Sequence, residues 1–150
     1  MATLLRQTCV KEGAVGLAAQ QCGVDARLVH LVGVGTMVNP SIVARSVEAD
    51  MKVWSEFCLV LPPSFRATVL RDAWVDVEYR ETNGSIRTTK LRGEKARAAQ
   101  HELDHDRGIL ILDHVGLEEM ESEVMRQIER DGHDERMALA YSRETESRIA

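Results

Sequence analysis

"QHELDHDRG", residues 100–108, sets His101 and His105 four apart with Glu102 beside the first of them. The stretch before it, "EKARAAQ" (94–100), is dense in Ala, Lys, Arg, Glu and Gln, which favours a helix running from Glu94 to about Leu103, with Gly108 expected to stop it. A helix turns through about 100° per residue, so positions four apart project from one face, one turn up. The two imidazoles can therefore converge on one ion. Glu102 next to them can take a proton from water that the ion activates, the logic of H-E-x-x-H hydrolysis. The competing reading is a solvent-facing polar helix whose histidines fall at this spacing by accident.

A catalytic centre of this kind needs a third protein ligand and an open position. The pattern with a further His six residues on is excluded, because position 111 is Ile. Two sources remain: the acids Glu118, Glu119, Glu121 and Glu123 downstream, which also read as one solvated helix face, and Cys58 upstream in "SEFCLVLPP". Taken alone, Cys58 reads more simply as a small buried hydrophobe.

The rest of the chain bounds the setting. The 150 residues suit one domain, 1–150, and 44% apolar residues supply an aliphatic core with few aromatics. A net charge of -5 and no visible basic stripe argue against a nucleic-acid surface. The cysteines Cys9, Cys22 and Cys58 form no CxxC pair, which points to a reducing compartment, and no apolar run reaches membrane-spanning length, so the chain reads as soluble. The opening "MATLLRQTCVK" has two bases and no acid, a transit-peptide echo too short to use. Residues 28–44 read as strands joined by a turn at Asn39-Pro40, and 74–93 as a hairpin turning at Asn83-Gly84. Leu117, Met120, Val124 and Ile128 mark an amphipathic C-terminal helical region within 115–150 that falters at Asp131-Gly132. Strands first and helices later make the fold class α+β. His30, His114 and His133 have no partners at ligand spacing and read as ordinary surface or strand histidines; Cys22 reads as a packed thiol and Cys9 as exposed near the terminus.

Three stretches in order, "AVGLAAQQ" (14–21), "EFCLV" (56–60) and "QHELDH" (100–105), resemble the motifs GxGLAAxQ, EGCLS and QHExDH of the peptide deformylases. The resemblance runs from residue 13 to about 114. It implies antiparallel β-sheets around a central HExxH helix with a C-terminal helix, and it makes Cys58 the third ligand with His101 and His105. One divalent metal is implied, Fe(II) by preference with Zn, Ni or Co as alternatives, since thiolate plus two imidazoles suits all of them. Glu102 is then the general base, and Gln21 with the backbone N–H of Leu59 steadies the oxyanion as the formyl carbon becomes tetrahedral. The implied substrates are N-formylmethionyl peptides or nascent chains, met at the ribosome, in a bacterial cytoplasm or in a mitochondrion or similar organelle.

Gly16 would let the backbone approach the substrate, with Val15, Glu94, Arg97 and Ala98 as the pocket for its side chain. Several positions depart from the family pattern. Ala14 stands for the first Gly, Phe57 for the Gly before the Cys, and Val60 for the Ser. Phe57 either blocks the channel or points into the core. Glu94 replaces a large apolar residue, so it either pairs with Arg97 or opens the pocket to solvent, and methionine selectivity should be altered. Only 12 residues precede Gly13, fewer than the family carries. These departures motivate a rival: a deformylase-like binding module that keeps the metal site and has lost catalysis.

Overall fold

The computed structural model describes residues 1–61, 65–122 and 124–132. Helix α1 (Ala2–Glu12) leads into β1 (Gly16–Ala18) and a short 3-10 turn, Ala19–Cys22; β2 (Leu28–Leu31) and β3 (Gly35–Arg45) follow. Next come β4 (Lys52–Glu56), β5 (Ala67–Arg71), β6 (Trp74–Arg80), β7 (Ile86–Arg92), helix α2 (Gly93–Asp106) and a second 3-10 turn, Ile111–His114. Residues 117–122 and 124–132 are helical. Strands β1-β2-β3-β6-β7 form one antiparallel sheet, and β4-β5 a separate two-stranded one. This is the α+β arrangement that the order of elements led us to expect.

Alternation decides which face is buried. Val75, Val77 and Tyr79 of β6 point inward with Val29, Leu31, Met37 and Leu91, and against them lie Ala96, Ala98 and Ala99 of α2. Three alanines on the contact face let the helix axis come close to the sheet, so the side chains beside them on α2 are buried as well. The hairpin turns at Asn83-Gly84, where Gly84 has φ 90°. Helix α2 runs from Gly93 to Asp106, three residues beyond the expected end, and Gly108 with φ 74° closes it.

Four expectations need correcting. The break in 28–44 is not at Asn39-Pro40 but at residues 32–34, around Gly33. Strand β3 runs through Asn39-Pro40 as an irregularity in its pairing with β6: Asn39 takes φ 51°, its N–H donates to Arg27 O, and the missing donor of Pro40 costs nothing at a bulge. Cys9 is not exposed. Residues 2–12 form α1, whose Leu5 and Cys9 are fully buried with Leu17 and Ala19 under the first motif. His114 is not an isolated histidine, as shown below. Finally, Leu117, Val124 and Ile128 lie exposed on their helix, so the amphipathic stripe is not covered by the described residues. His133 lies outside the described residues, as does the helical region beyond residue 132. No described helix is long and apolar enough to cross a membrane.

Gln100 locks α2 onto the sheet corner. Its side chain accepts from Asp72 N–H at 3.0 Å and donates to Asp72 O at 3.1 Å and Ala96 O at 3.0 Å, all buried. The amide thus serves the β5–β6 corner as a backbone partner would. Gln100→Leu strands both Asp72 backbone groups, and we expect a loss of about 1–3 kcal/mol in urea unfolding without a change of fold.

Candidate metal centre

Cys58 follows directly after β4, and His101 and His105 sit one turn apart on α2, their rings 4.8 Å apart and edge to face. The ligating atoms of the three residues all lie within 4.8 Å of one another, and all three residues are buried. Cys58 Sγ is 3.2 Å from His105 Nε2. Bonds of about 2.0–2.3 Å meeting at a tetrahedral angle place donors roughly 3.3–3.6 Å apart, so the Cys58–His105 pair already stands near that spacing and the set within 4.8 Å could close on one divalent ion. Burial pushes the Cys58 thiol above its ordinary value, although the Val60 backbone N–H and the Gln21 amide favour its thiolate. Burial, helped by His101, pulls His105 down to about 4, which keeps it neutral and able to ligate.

Behind the ligands lies a buried charge network. Glu56 Oε2 accepts from His101 Nδ1 at 2.8 Å, and Arg71 donates to both Glu56 oxygens at 2.9 and 3.0 Å. Burial alone would raise Glu56, but the bonds from His101 and Arg71 outweigh it and hold the carboxyl at about 2. An ionised Glu56 can only accept, so Nδ1 of His101 carries the proton and Nε2 keeps its lone pair for an ion. Arg71 also donates to Asp104 Oδ2 at 2.5 Å, and the same oxygen lies 2.8 Å from His114 Nε2. The lone-histidine reading of His114 fails for this reason: its partner stands ten residues back, on α2.

Glu102 is the third functional face of α2. Its Oε2 is buried and has no hydrogen-bond partner among the described residues, and burial pushes the carboxyl up to about 8. Gly16 makes room for it: a Cβ there would lie 2.7 Å from Leu31 Cδ2 and 3.0 Å from Glu102 Cγ. The constraint visible at Gly16 is packing against Leu31 and the candidate base, and the same residue lines the cleft, where a substrate approach was expected. Gln21, in the 3-10 turn after β1, accepts from Ala18 N–H at 2.8 Å, which fixes its amide so that Nε2 faces Cys58 at 3.7 Å. The Leu59 N–H has no acceptor among the described residues, so that donor is free.

A cleft of about 130 Å³ gathers Val15, Gly16, Gln21, Phe57, Cys58, Leu59, Glu94, Arg97, Ala98, His101 and Glu102. Of the expected site residues only His105 is not in its wall, lying buried beneath Cys58. Glu94 and Arg97 resolve both ways: they stand 3.9 Å apart as an ion pair, and Glu94 is 65% exposed at the rim. Arg97 is 16% exposed and lies over the Trp54 ring. Phe57 neither blocks the cleft nor enters the core; its ring is 51% exposed on the lip. Among the downstream acids, Glu119 accepts from Thr68 N–H, and Cys58 takes the ligand position they competed for. Glu123 lies outside the described residues. Sequence reasoning missed the support of Glu56, Arg71, Asp104 and His114. Glu56 stood in the second motif, and Arg71 left one trace, its inward phase two residues after the buried Ala67 and Val69 of an alternating strand.

Fold and site together define a helix-borne H-E-x-x-H candidate metal centre completed by a cysteine two residues beyond the end of the small sheet's β4. The chain belongs to the polypeptide deformylase family, whose pattern matches residues 1–121. It is 34% identical over 113 residues to the peptide deformylase of Pediococcus pentosaceus, a match covering 69% of this chain and 61% of that protein. The chain thus spans about three fifths of the length of such curated relatives. An actinonin-bound class I type b peptide deformylase from Acinetobacter baumannii superposes with a TM-score of 0.71 at 33% identity, covering 77% of each chain. The Met-Ala-Ser-bound form superposes with 0.68 at 31%, covering 74% of this chain and 76% of that one.

Two outcomes follow from the network. Glu56→Gln removes the charge that fixes the His101 tautomer, and metal affinity should fall roughly 10- to 100-fold by chelator competition. For Glu102, a folded value near 8 against an ordinary value of 4.5 means the native state holds a proton that the unfolded chain has released between those limits. Stability from this group is full below pH 4.5 and is lost as pH rises through about 8. In metal-free protein, Glu102→Gln should therefore raise Tm at pH 8.5 and leave it unchanged at pH 4, about where the two titration curves converge.

Proposed function

We propose that this protein removes the N-formyl group from the N-terminal methionine of newly made polypeptides. One observation carries the reading: an unpartnered buried carboxylate oxygen, Glu102 Oε2, faces the same small cleft as three convergent metal-ligating side chains and a pre-aimed amide. Cys58, His101 and His105 would hold the divalent ion, Fe(II) by preference and Zn, Ni or Co as substitutes. When bound, that ion supplies Lewis acidity and activates water at neutral pH.

The chain's own residues account for the remainder. Glu102 Oε2 accepts the proton of the attacking water and returns it to the departing amine, a role suited to a carboxyl whose affinity for protons burial has raised. As the formyl oxygen gains charge, Gln21 Nε2 and the Leu59 N–H are the donors placed to meet it. Val15, Gly16 and Ala98 offer the methionine side chain small and apolar walls, while Arg97 and Glu94 at the rim make this pocket more polar at one end than an all-apolar one. The Met-Ala-Ser peptide held by the Acinetobacter relative supports a methionyl peptide as ligand. Partners on this reading are formylated nascent chains met at the ribosome, in a bacterial cytoplasm or in a mitochondrion that retains bacterial-type translation.

The test is formate release from N-formylmethionyl peptides by Fe(II)-loaded protein purified without oxygen. Glu102→Ala should lower kcat by roughly 10²- to 10⁴-fold with the ion still bound. A fully metallated wild type that is inert across the peptide panel would overturn the reading and favour the binding module.

A further inference from the structure

The lip of the cleft carries more apolar surface than the reaction requires. Around buried Cys58, Phe57, Leu59 and Val60 are 51%, 43% and 50% exposed, and Phe57 and Leu59 line the cleft itself. Three large apolar side chains within four residues, facing water beside a buried metal ligand, form a surface suited to a ligand. Arg66 holds its guanidinium 5.1 Å from the Phe57 ring centroid, and no carboxylate pairs with it among the described residues. The ring is thus backed by a cation, and about half of the residue's surface is open.

Phe57 and Leu59 wall the same cleft as Glu102, Gln21 and Cys58, so a substrate chain that leaves on that side, with its reacting amide among those three, runs along this lip. We infer that Phe57, framed by Leu59 and Arg66, is a specificity-determining subsite that selects a large aromatic side chain in the residue following the N-terminal methionine. This rests on the deformylase reading. An aromatic ring offset against Phe57 and beside the guanidinium gains ring–ring and cation–π attraction together with apolar burial. An acidic side chain would be drawn by Arg66, but its carboxylate would lose water against the Phe57 ring. The position is a departure from the family's glycine, so the selectivity belongs to this chain.

The experiment measures Kd by calorimetry for the unformylated peptides Met-Phe-Ser, Met-Leu-Ser, Met-Ala-Ser and Met-Glu-Ser on metal-loaded protein, and KM and kcat for their formylated forms. Covering the open half of a phenyl ring should make Met-Phe-Ser bind about tenfold tighter than Met-Ala-Ser. The preference should appear in KM and not in kcat. Phe57→Gly should reduce the ratio to under about twofold, Phe57→Leu should keep part of it, and Arg66→Ala should erase only the advantage of Phe over Leu. Phe57 belongs to no core cluster, so both variants at this position fold. An unchanged ratio in Phe57→Gly, or tightest binding of Met-Glu-Ser, overturns the subsite while turnover leaves the deformylase reading standing. No binding of any methionyl peptide together with no formate release overturns both.

Discussion

Glu56 is the residue on which the site's geometry depends. Its carboxylate is enclosed completely, yet it stays charged because Arg71 grips both oxygens and His101 donates a third bond. Such an ion pair adds little net stability over a well-packed apolar pair, since withdrawing both charges from water costs about what their attraction returns. What it contributes is direction. Arg71 belongs to β5, Glu56 ends β4, and His101 and Asp104 sit on α2, so one guanidinium fixes the spacing between the two-stranded sheet and the helix. Cys58, two residues beyond Glu56, is thereby carried to His105. Remove the carboxylate and the buried guanidinium keeps only Asp104 as counter-charge, while His101 Nδ1 loses its acceptor.

The candidate base is placed by the opposite means. Among the described residues nothing pairs with Glu102 Oε2, and room for its side chain comes from a strand residue without one, Gly16. The contrast between Glu56 and Glu102 is a contrast of environments at similar depth. One carboxyl is saturated with donors and pulled down to about 2; the other is starved of them and pushed up to about 8. Two buried carboxyls thus acquire opposite proton affinities, one ionised against a histidine and an arginine and one favouring its protonated form.

Much of this was legible in the sequence because it is carried by local periodicity and local chemistry. The four-residue spacing of His101 and His105, the Asn83-Gly84 turn and the inward phase of Val75, Val77 and Tyr79 each announce themselves within ten residues. Cys58 was not legible from spacing at all; only its place within three ordered motifs separated it from the acids downstream. The roles of Asp104 and His114 were invisible, and the inward phase of Arg71 went unread, because their meaning arises from contacts between distant elements. The misplaced turn at Asn39-Pro40 has a related cause. Asn-Pro normally ends regular structure, and here a bulge absorbs both the left-handed residue and the missing donor, so the strand continues. Cys9 was misjudged because proximity to a terminus says nothing about which helix face meets the sheet.

The contacts that assemble the centre join residues far apart along the chain: 45 positions for Glu56 and His101, 47 for Cys58 and His105, 37 for Gln21 and Cys58, 33 for Arg71 and Asp104. Each closes a long loop, whose entropic cost must be met before any of these contacts returns energy. The hairpin and α2 need no such closure. The two histidines share a helix whatever the rest of the chain does, whereas Glu56 and Cys58 reach them only through long loops, and two residues separate that orienting charge from that thiol. The cost of assembling the centre is in this sense entropic, and it is carried by the loops that separate its motifs.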